Sequence, residues 1–316
     1  MKTLLVGYRA ADLFEKGKHG RWTTASWLDG DVTCHTLDVY DRHAIEKTHH
    51  VRTICSPHLP AGPWDLVKFR TGPKLMSGEL ALDLLQEIHM LKPVRFELDY
   101  IGRERDRNDL LAKIRDDPGR VRDFSAKWKA SVPGIAPVEF TSVPGCFCHR
   151  RLDEGGLALA EVASRELKDA SSPRVLDMSC GCGLVGLLVA KAVPVASLVM
   201  VDSHSRAVEA ASLNAANLGV PAEVILADNG TPARMDGTFD VFVGNPPYYS
   251  DYRIADVFLE TAKRALKPGG VCYTVCKNAA GLEPVQRRYF PEVEVIRRRG
   301  YAVLKSAQSA GIATGG

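Results

Sequence analysis

The chain has 316 residues, 45% of them hydrophobic and 25% charged, with a formal net charge of +3. Such values describe an ordinary globular protein of a length that suits two domains and exclude a disordered or fibrous chain; a charge of +3 is too small to establish a nucleic-acid partner but leaves room for a local basic face. No run of eighteen apolar residues occurs, and Met1-Lys2 passes directly into a strand-like segment, so a cytoplasmic protein with no membrane association is expected.

In chain order, residues 3–7 read as a strand, 11–16 as a helix and 36–39 as a second strand that ends around Asp38. Residues 51–55 and 64–69 are further apolar, β-branched or aromatic runs. The apolar residues of 77–91 recur at three- and four-residue spacing, which predicts an amphipathic helix, and 94–101 follows as a fifth strand. Alternation of this kind implies α/β architecture with a parallel sheet. Residues 106–128 are charged and helix-like, with Lys113, Arg115, Arg120, Arg122, Lys127 and Lys129 gathered as a solvated face or a phosphate contact. Residues 131–144 hold three prolines and a glycine and suit an extended connector, after which a helix is expected to start near Gly155. The segment from Val143 to that helix should cover the edge of the second domain. The domain reading is therefore 1–130, a connector and lead-in helix over 131–170, and 171–316.

The eight cysteines, at 34, 55, 146, 148, 180, 182, 272 and 276, include two Cys-x-Cys pairs. That spacing departs from the usual Cys-x2-4-Cys of zinc sites, so reduced, buried thiols are expected and no metal.

Two motifs carry chemistry. The first is Val175-Leu-Asp177-Met-Ser179-Cys-Gly181-Cys-Gly183-Leu-Val-Gly186, a strand, a glycine turn and a helix start. Missing side chains there let backbone N–H groups approach a ligand, and Asp202, about twenty residues on, is placed for ribose hydroxyls. A nicotinamide dehydrogenase satisfies those two features equally well. Asp177 inside the turn suits a cationic group better than a pyrophosphate, and Asp228, with Asn229, ends the next strand as an acceptor for an amino group. The second motif is Asp240-Val-Phe-Val-Gly-Asn245-Pro246-Pro247-Tyr248-Tyr249. Its prolines cannot continue a ladder, so the Asn245 side chain and the turn carbonyls form a stiff pair of acceptors for an NH2 group, with Tyr248 as a stacking surface. No His, Lys or Tyr arrangement for hydride chemistry accompanies it.

Acid, Gly-x-Gly, acid, acid and Asn-Pro-Pro-Tyr in that order resemble the class I S-adenosylmethionine-dependent methyltransferases. Pro144-Gly-Cys-Phe147, then Leu152-Asp153-x-Gly155, then the glycine turn and Asn245-Pro-Pro-Tyr, are similar to the two-domain ribosomal RNA guanine-N2 methyltransferases of the small-subunit type. Arg299-Gly-Tyr-Ala-Val-Leu-Lys305 resembles that family's final strand. The resemblance implies a Rossmann-like sheet with an antiparallel last strand, preceded by a degenerate methyltransferase-like domain that holds no cofactor. The first half fits as a worn copy: Asp38 matches Asp202, Trp64-Asp65 matches Phe239-Asp240, and Arg70-Thr-Gly-Pro stands where the second half has Asn-Pro-Pro-Tyr. The resemblance also implies S-adenosylmethionine held by Asp177, Ser179, Gly181, Gly183, Asp202, Ser203, Asp228, Asn229 and Asn245. Its catalytic set is Asn245, Pro246, Pro247 and Tyr248, and its partner is RNA. The family's Phe-His after Asn-Pro-Pro is Tyr248-Tyr249 in this chain, which leaves adenine-N6 and glutamine-N5 methylation as alternatives, together with an RNA-binding or assembly module whose methyltransferase half is inactive. Arg287, Arg288, Arg297, Arg298, Arg299 and Lys305 cluster near the final hairpin, as a soluble tip or an RNA contact.

Overall fold

The structure, a computed structural model, describes residues 1–16, 21–115, 121–228, 230–247 and 253–309. The chain divides into two compact units: 1–125 with 143–145 and 204–206, and a second formed by 126–142, 146–203 and the residues from 207 on. The division falls at 125/126, and the proline-rich 131–144 stretch is largely part of the second unit.

The first unit runs β1 (Lys2–Val6), β2 (Phe14–Lys16), β3 (Trp22–Thr24), β4 (Asp31–Thr36), α1 (Val39–His49), β5 (Arg52–Cys55), β6 (Leu66–Thr71), α2 (Gly78–Leu91), β7 (Arg95–Tyr100) and α3 (Glu104–Arg115). Its main sheet has the order β5-β4-β1-β6-β7, every pair parallel. Leu4, Val6, Val67 and Phe69 face α2, which buries Leu80, Leu84, Leu85 and Ile88 on its apolar stripe. Ser77 caps that helix through Leu80 N–H, 3.2 Å away. Each such side chain contributes roughly 1.5–3 kcal/mol on burial, so Leu84→Ala would cost about 2–5 kcal/mol. Leu5 and Cys34 cover the other face with Ile45 of α1. Residues 204–206 belong to this unit: Ser205 N–H and Oγ donate to the Leu37 carbonyl, and Arg206, 2% exposed, binds Asp83, Glu87 and the Pro57 carbonyl.

Three expectations are corrected here. Residues 11–16 are not a helix; one 3-10 turn (Ala10–Leu13) leads into β2, which pairs antiparallel with β3 and sets Phe14 against the His49 ring. The strand expected over 36–39 lies earlier, and Asp38 caps α1 by accepting Tyr40 N–H at 2.8 Å. The helical reading of 106–128 fails at its C-terminal end, because residues 126–130 are a strand. Lys113 and Lys127 therefore fall in different units and form no single basic helix face; Arg120 lies outside the described residues.

The second unit runs β8 (Ala126–Ala130), β9 (Val138–Ser142), α4 (Glu154–Glu166), β10 (Arg174–Met178), α5 (Leu184–Ala192), β11 (Ser197–Asp202), α6 (Ser205–Leu218, whose first two residues belong to the first unit), β12 (Glu223–Leu226), β13 (Phe239–Gly244), α7 (Arg253–Ala265), β14 (Leu266–Cys276), α8 (Ala279–Arg287), β15 (Glu294–Arg298) and β16 (Tyr301–Ala307). β8 and β9 form a hairpin in which Trp128 stacks on Phe140, 5.0 Å between centroids. The seven-stranded sheet has the order β12-β11-β10-β13-β14-β16-β15. Its first five strands are parallel, and β16 runs antiparallel to both neighbours, as expected. β14 starts at Leu266 and absorbs Pro268-Gly-Gly through a register shift between Phe239 and Val241. Val175, Leu176, Val241, Phe242 and Val243 are 2% exposed or less, which explains their unbroken apolar runs.

The first five strands of the two sheets have the same order. One detail is repeated as well: Asp65 Oδ2 accepts the N–H of Lys2, the first residue of β1 (2.7 Å), and Asp240 Oδ2 accepts that of Arg174, the first residue of β10 (2.8 Å).

Candidate active site

The register of the second sheet places the motif residues side by side. Met178 pairs with Val201 on one side and Gly244 on the other, so Ser179, Asp202 and Asn245 emerge level at the C-terminal ends of three adjacent strands. Asp202 pairs with Leu226, which brings Asp228 just past the end of the fourth. The order reverses between β10 and β13, the crevice where open α/β sheets bind ligands. Ser179 is exposed, Ser203 and Asp228 are half-buried, and Asn229 lies outside the described residues.

The glycine turn is held from several sides. Ser179, Gly181 and Gly183 have φ of 58°, 57° and 86°. Gly181 N–H donates to Asp202 Oδ2 (2.9 Å), Cys180 N–H to the Val201 carbonyl and Gly183 N–H to the Cys180 carbonyl. A Cβ on Gly181 would meet no atom within 4 Å, so the turn faces open space there; a Cβ on Gly183 would stand 2.8 Å from Leu187 Cδ1. Gly183 is the N-cap of α5, whose amides point toward the crevice end.

Two residues act from behind the turn. Asp177, expected to face the cationic end of a cofactor, is instead 2% exposed and accepts Gly186 N–H at 2.8 Å. A Cβ on Gly186 would stand 3.0 Å from Asp177 Oδ2, so glycine there admits the carboxylate beneath the helix. Burial raises the Asp177 carboxyl to about 7. Asn214 of α6, which the sequence reading missed, donates to the Cys182 and Thr141 carbonyls (2.9 and 2.8 Å) and accepts Thr141 N–H (2.8 Å). It bolts the turn to β9; an Asn on the inner face of an amphipathic helix was the available signal.

All eight cysteines are free thiols. Burial holds the Cys180 thiol far above its ordinary range and pushes Cys182 up to about 12, so both are protonated, small and apolar at neutral pH. Among the described residues no group of three His, Cys, Asp or Glu side chains could hold a metal.

The Asn245 corner stands beside this turn. Pro246 is buried, Pro247 half-buried and neither belongs to a strand, while Asn245 Nδ2 donates to Asp153 Oδ2 at 2.8 Å. Tyr248 and Tyr249 lie outside the described residues. The basic cluster near the final hairpin is mostly matched by acids: Arg287 with Glu283, Arg288 with Asp256, Arg298 with Glu161, Arg299 with Glu154 and Glu161, and Lys305 with Glu166 and Glu294. Among the described residues no helix is long and apolar enough to cross a membrane.

A seven-stranded sheet with one reversed strand and a glycine turn at its switch point is the methyltransferase variant of the Rossmann-like fold. Residues 137–305 match the Methyltransferase small domain, and the chain belongs to that family. Similar proteins include a ribosomal RNA small subunit methyltransferase C of Hahella chejuensis, 32% identical over 48% of this chain and 44% of the relative. A ribosomal RNA large subunit methyltransferase G of Streptomyces avermitilis is 34% identical over 57% of this chain and 49% of the relative, so the chain spans about half the length of these two. A small subunit methyltransferase C of Stutzerimonas stutzeri is 27% identical over 97% of this chain and 95% of the relative. Among solved structures, a 16S rRNA N2 methyltransferase of T. thermophilus in complex with AdoMet and guanosine is 18% identical, with a TM-score of 0.75 over 98% of this chain and 88% of the other. That likeness extends the shared fold to both units.

Proposed function

We propose that the second unit transfers a methyl group from S-adenosylmethionine to an exocyclic amino group, with N2 of guanine in ribosomal RNA as the acceptor. The observation that carries this reading is the level placement of the Asn245-Pro-Pro corner and the glycine turn on adjacent strand ends. The names of the full-length and partial relatives, and the guanosine bound to the T. thermophilus protein, support the choice of acceptor.

The residues present fit the cofactor: the turn faces open space at Gly181, and an acid stands at the end of the neighbouring strand. Gly181, Gly183, Ser179 and Ser203 would hold its amino-acid end, Asp202 its ribose, and Asp228 with Asn229 its adenine, while Asp177 acts through the turn it supports. When bound, the cofactor supplies an electrophilic methyl on a sulfonium.

The work of the chain's own residues is then positioning. An exocyclic amine is a weak nucleophile because its lone pair is spread into the ring. Accepting its hydrogens at Asn245 Oδ1 and the Pro246 carbonyl turns that lone pair out of conjugation and stabilises the positive charge that grows on nitrogen. Pro247 stiffens the corner and Tyr248 stacks on the base. A base within a duplex must first be flipped out.

The test is transfer of labelled methyl into fractionated ribosomal RNA, followed by nucleoside analysis. N2-methylguanosine supports the reading; label in N6-methyladenosine or in glutamine of protein replaces the acceptor. No cofactor binding in a calorimeter would leave the inactive-module alternative.

A further inference from the structure

Asp153 stands at the N-terminus of α4, and its two carboxylate oxygens do two jobs. Oδ1 accepts Gly155 N–H at 3.0 Å and caps the helix; Oδ2 accepts Asn245 Nδ2 at 2.8 Å. An ionised carboxylate can only accept, so the amide nitrogen of Asn245 must face it. The orientation of that amide, usually a matter of assignment, is here determined chemically. Its oxygen consequently lies at the opposite corner of the amide plane, away from Asp153.

The surroundings make room for this bond and hold it still. A Cβ on Gly156 would stand 2.6 Å from Asp153 Oδ2, so the glycine leaves space for the carboxylate. A Cβ on Gly155 would stand 3.1 Å from the Tyr301 ring, which packs against the start of the helix. Residues 155–164 of α4 are all buried, so Asp153 rides on a rigid base.

We propose that Asp153 is a positioning residue for the methyl transfer: it locks the Asn245 amide with its oxygen toward the acceptor amine and, through that polarised amide, offsets the charge developing on the amine. The inference rests on the function proposed above and adds a residue to it. A serine at 153 still caps α4 but is too short to reach Asn245. An asparagine has one oxygen for two donors and cannot serve both.

The experiment compares wild type, Asp153→Ser and Asp153→Asn, each also combined with Asn245→Ala, using the full chain. In the wild type the two Asn245 side-chain amide protons should be widely split in the nitrogen–proton NMR spectrum, and the splitting should collapse in Asp153→Ser. Turnover should fall by about 100-fold in Asp153→Ser, with calorimetric affinity for S-adenosylmethionine and melting temperature both close to wild type. In the Asn245→Ala background neither substitution at 153 should reduce turnover further, because the effect passes through Asn245. Wild-type turnover in Asp153→Ser, a further loss in the Asn245→Ala background, or a collapse of donor affinity would each overturn the proposal. The NMR readout does not depend on turnover. Absence of methyl transfer by the wild type would therefore defeat the functional reading, whereas unsplit Asn245 protons in the wild type would defeat this one.

Discussion

In the first sheet β6 goes on pairing with β7 through Arg70 and Thr71, past Phe69, which lies level with the last residue of β1. In the second, β13 stops at Gly244, level with the last residue of β10, because Pro246 and Pro247 have no N–H with which to extend the ladder. The other side of each crevice differs too. A Cβ on Gly7 would stand 2.3 Å from the Arg70 carbonyl oxygen, so the turn after β1 is closed down on β6, whereas Gly181 faces open space. Arg70 fills the first edge, with its guanidinium over the Tyr8 ring and paired with Asp12 and Asp99. One strand order can thus end in a packed edge or an open crevice, and the deciding residues are the few just past the strand ends.

The largest expected contrast comes from the residues that follow β6 and β13. Asn245→Ala should lower methyl transfer by about 100- to 1,000-fold, the scale of losing one well-placed polar partner of the transition state. Donor affinity should change little. Arg70→Ala should leave transfer and donor affinity near wild type while lowering the melting temperature of the first unit. A large loss of transfer in Arg70→Ala would break the comparison.

The two glycine turns give the next test. Gly183→Ala places a side chain at φ +86° and against Leu187, so calorimetric donor affinity should fall at least about tenfold, with 1–2 kcal/mol attributable to the left-handed backbone alone. Gly7→Ala drives a Cβ into backbone and should destabilise the first unit by more than that, without changing donor affinity. Arg206→Met comes third. It leaves Asp83 and Glu87 together on α2 without their guanidinium, and thermal unfolding should show a loss of about 3 kcal/mol.

The last contrast is pH dependence, which differs in sign between the units. Burial, helped by Arg206, holds His35 and His204 of the first unit down at about 4. The unfolded chain takes up those protons near 6.5, so the contribution of each group is complete above 6.5 and is lost as pH falls toward 4, by about 1 kcal/mol per pH unit. Asp177 works in reverse: its carboxyl is raised from 3.8 to about 7, so the folded state binds the proton more tightly and stability declines as pH rises from about 4 to 7. Hydrogen exchange followed separately in the two units should show opposite slopes over this window. His35→Gln should flatten the first slope and Asp177→Asn the second.

Much of the second unit was legible because its strands are short apolar runs buried on both faces, and because glycine and proline mark their own turns. α1, α6 and α8 were not anticipated; α1 buries only Val39, Ile45 and His49, too sparse a pattern to stand out. The 11–16 segment was misread because β3, brought alongside it by the fold, outweighs its local preference. Among the site residues, Asp202 and Asn245 stand at strand ends beside the glycine turn. Asp177 turned inward, and Asn214 and Asp153 took up roles that no motif spacing announces.

What the amino-acid order alone determined is the strand–turn–helix grammar and the stiff Asn-Pro-Pro corner, since these depend on φ restrictions and missing donors within a few residues. Only the tertiary structure decided that Asp153, 92 residues away from Asn245, would hold the nitrogen of its amide, and that Gly7 would be closed where Gly181 is open. Contacts between distant segments depend on which strand ends the sheet brings level, and that register is a property of the whole fold.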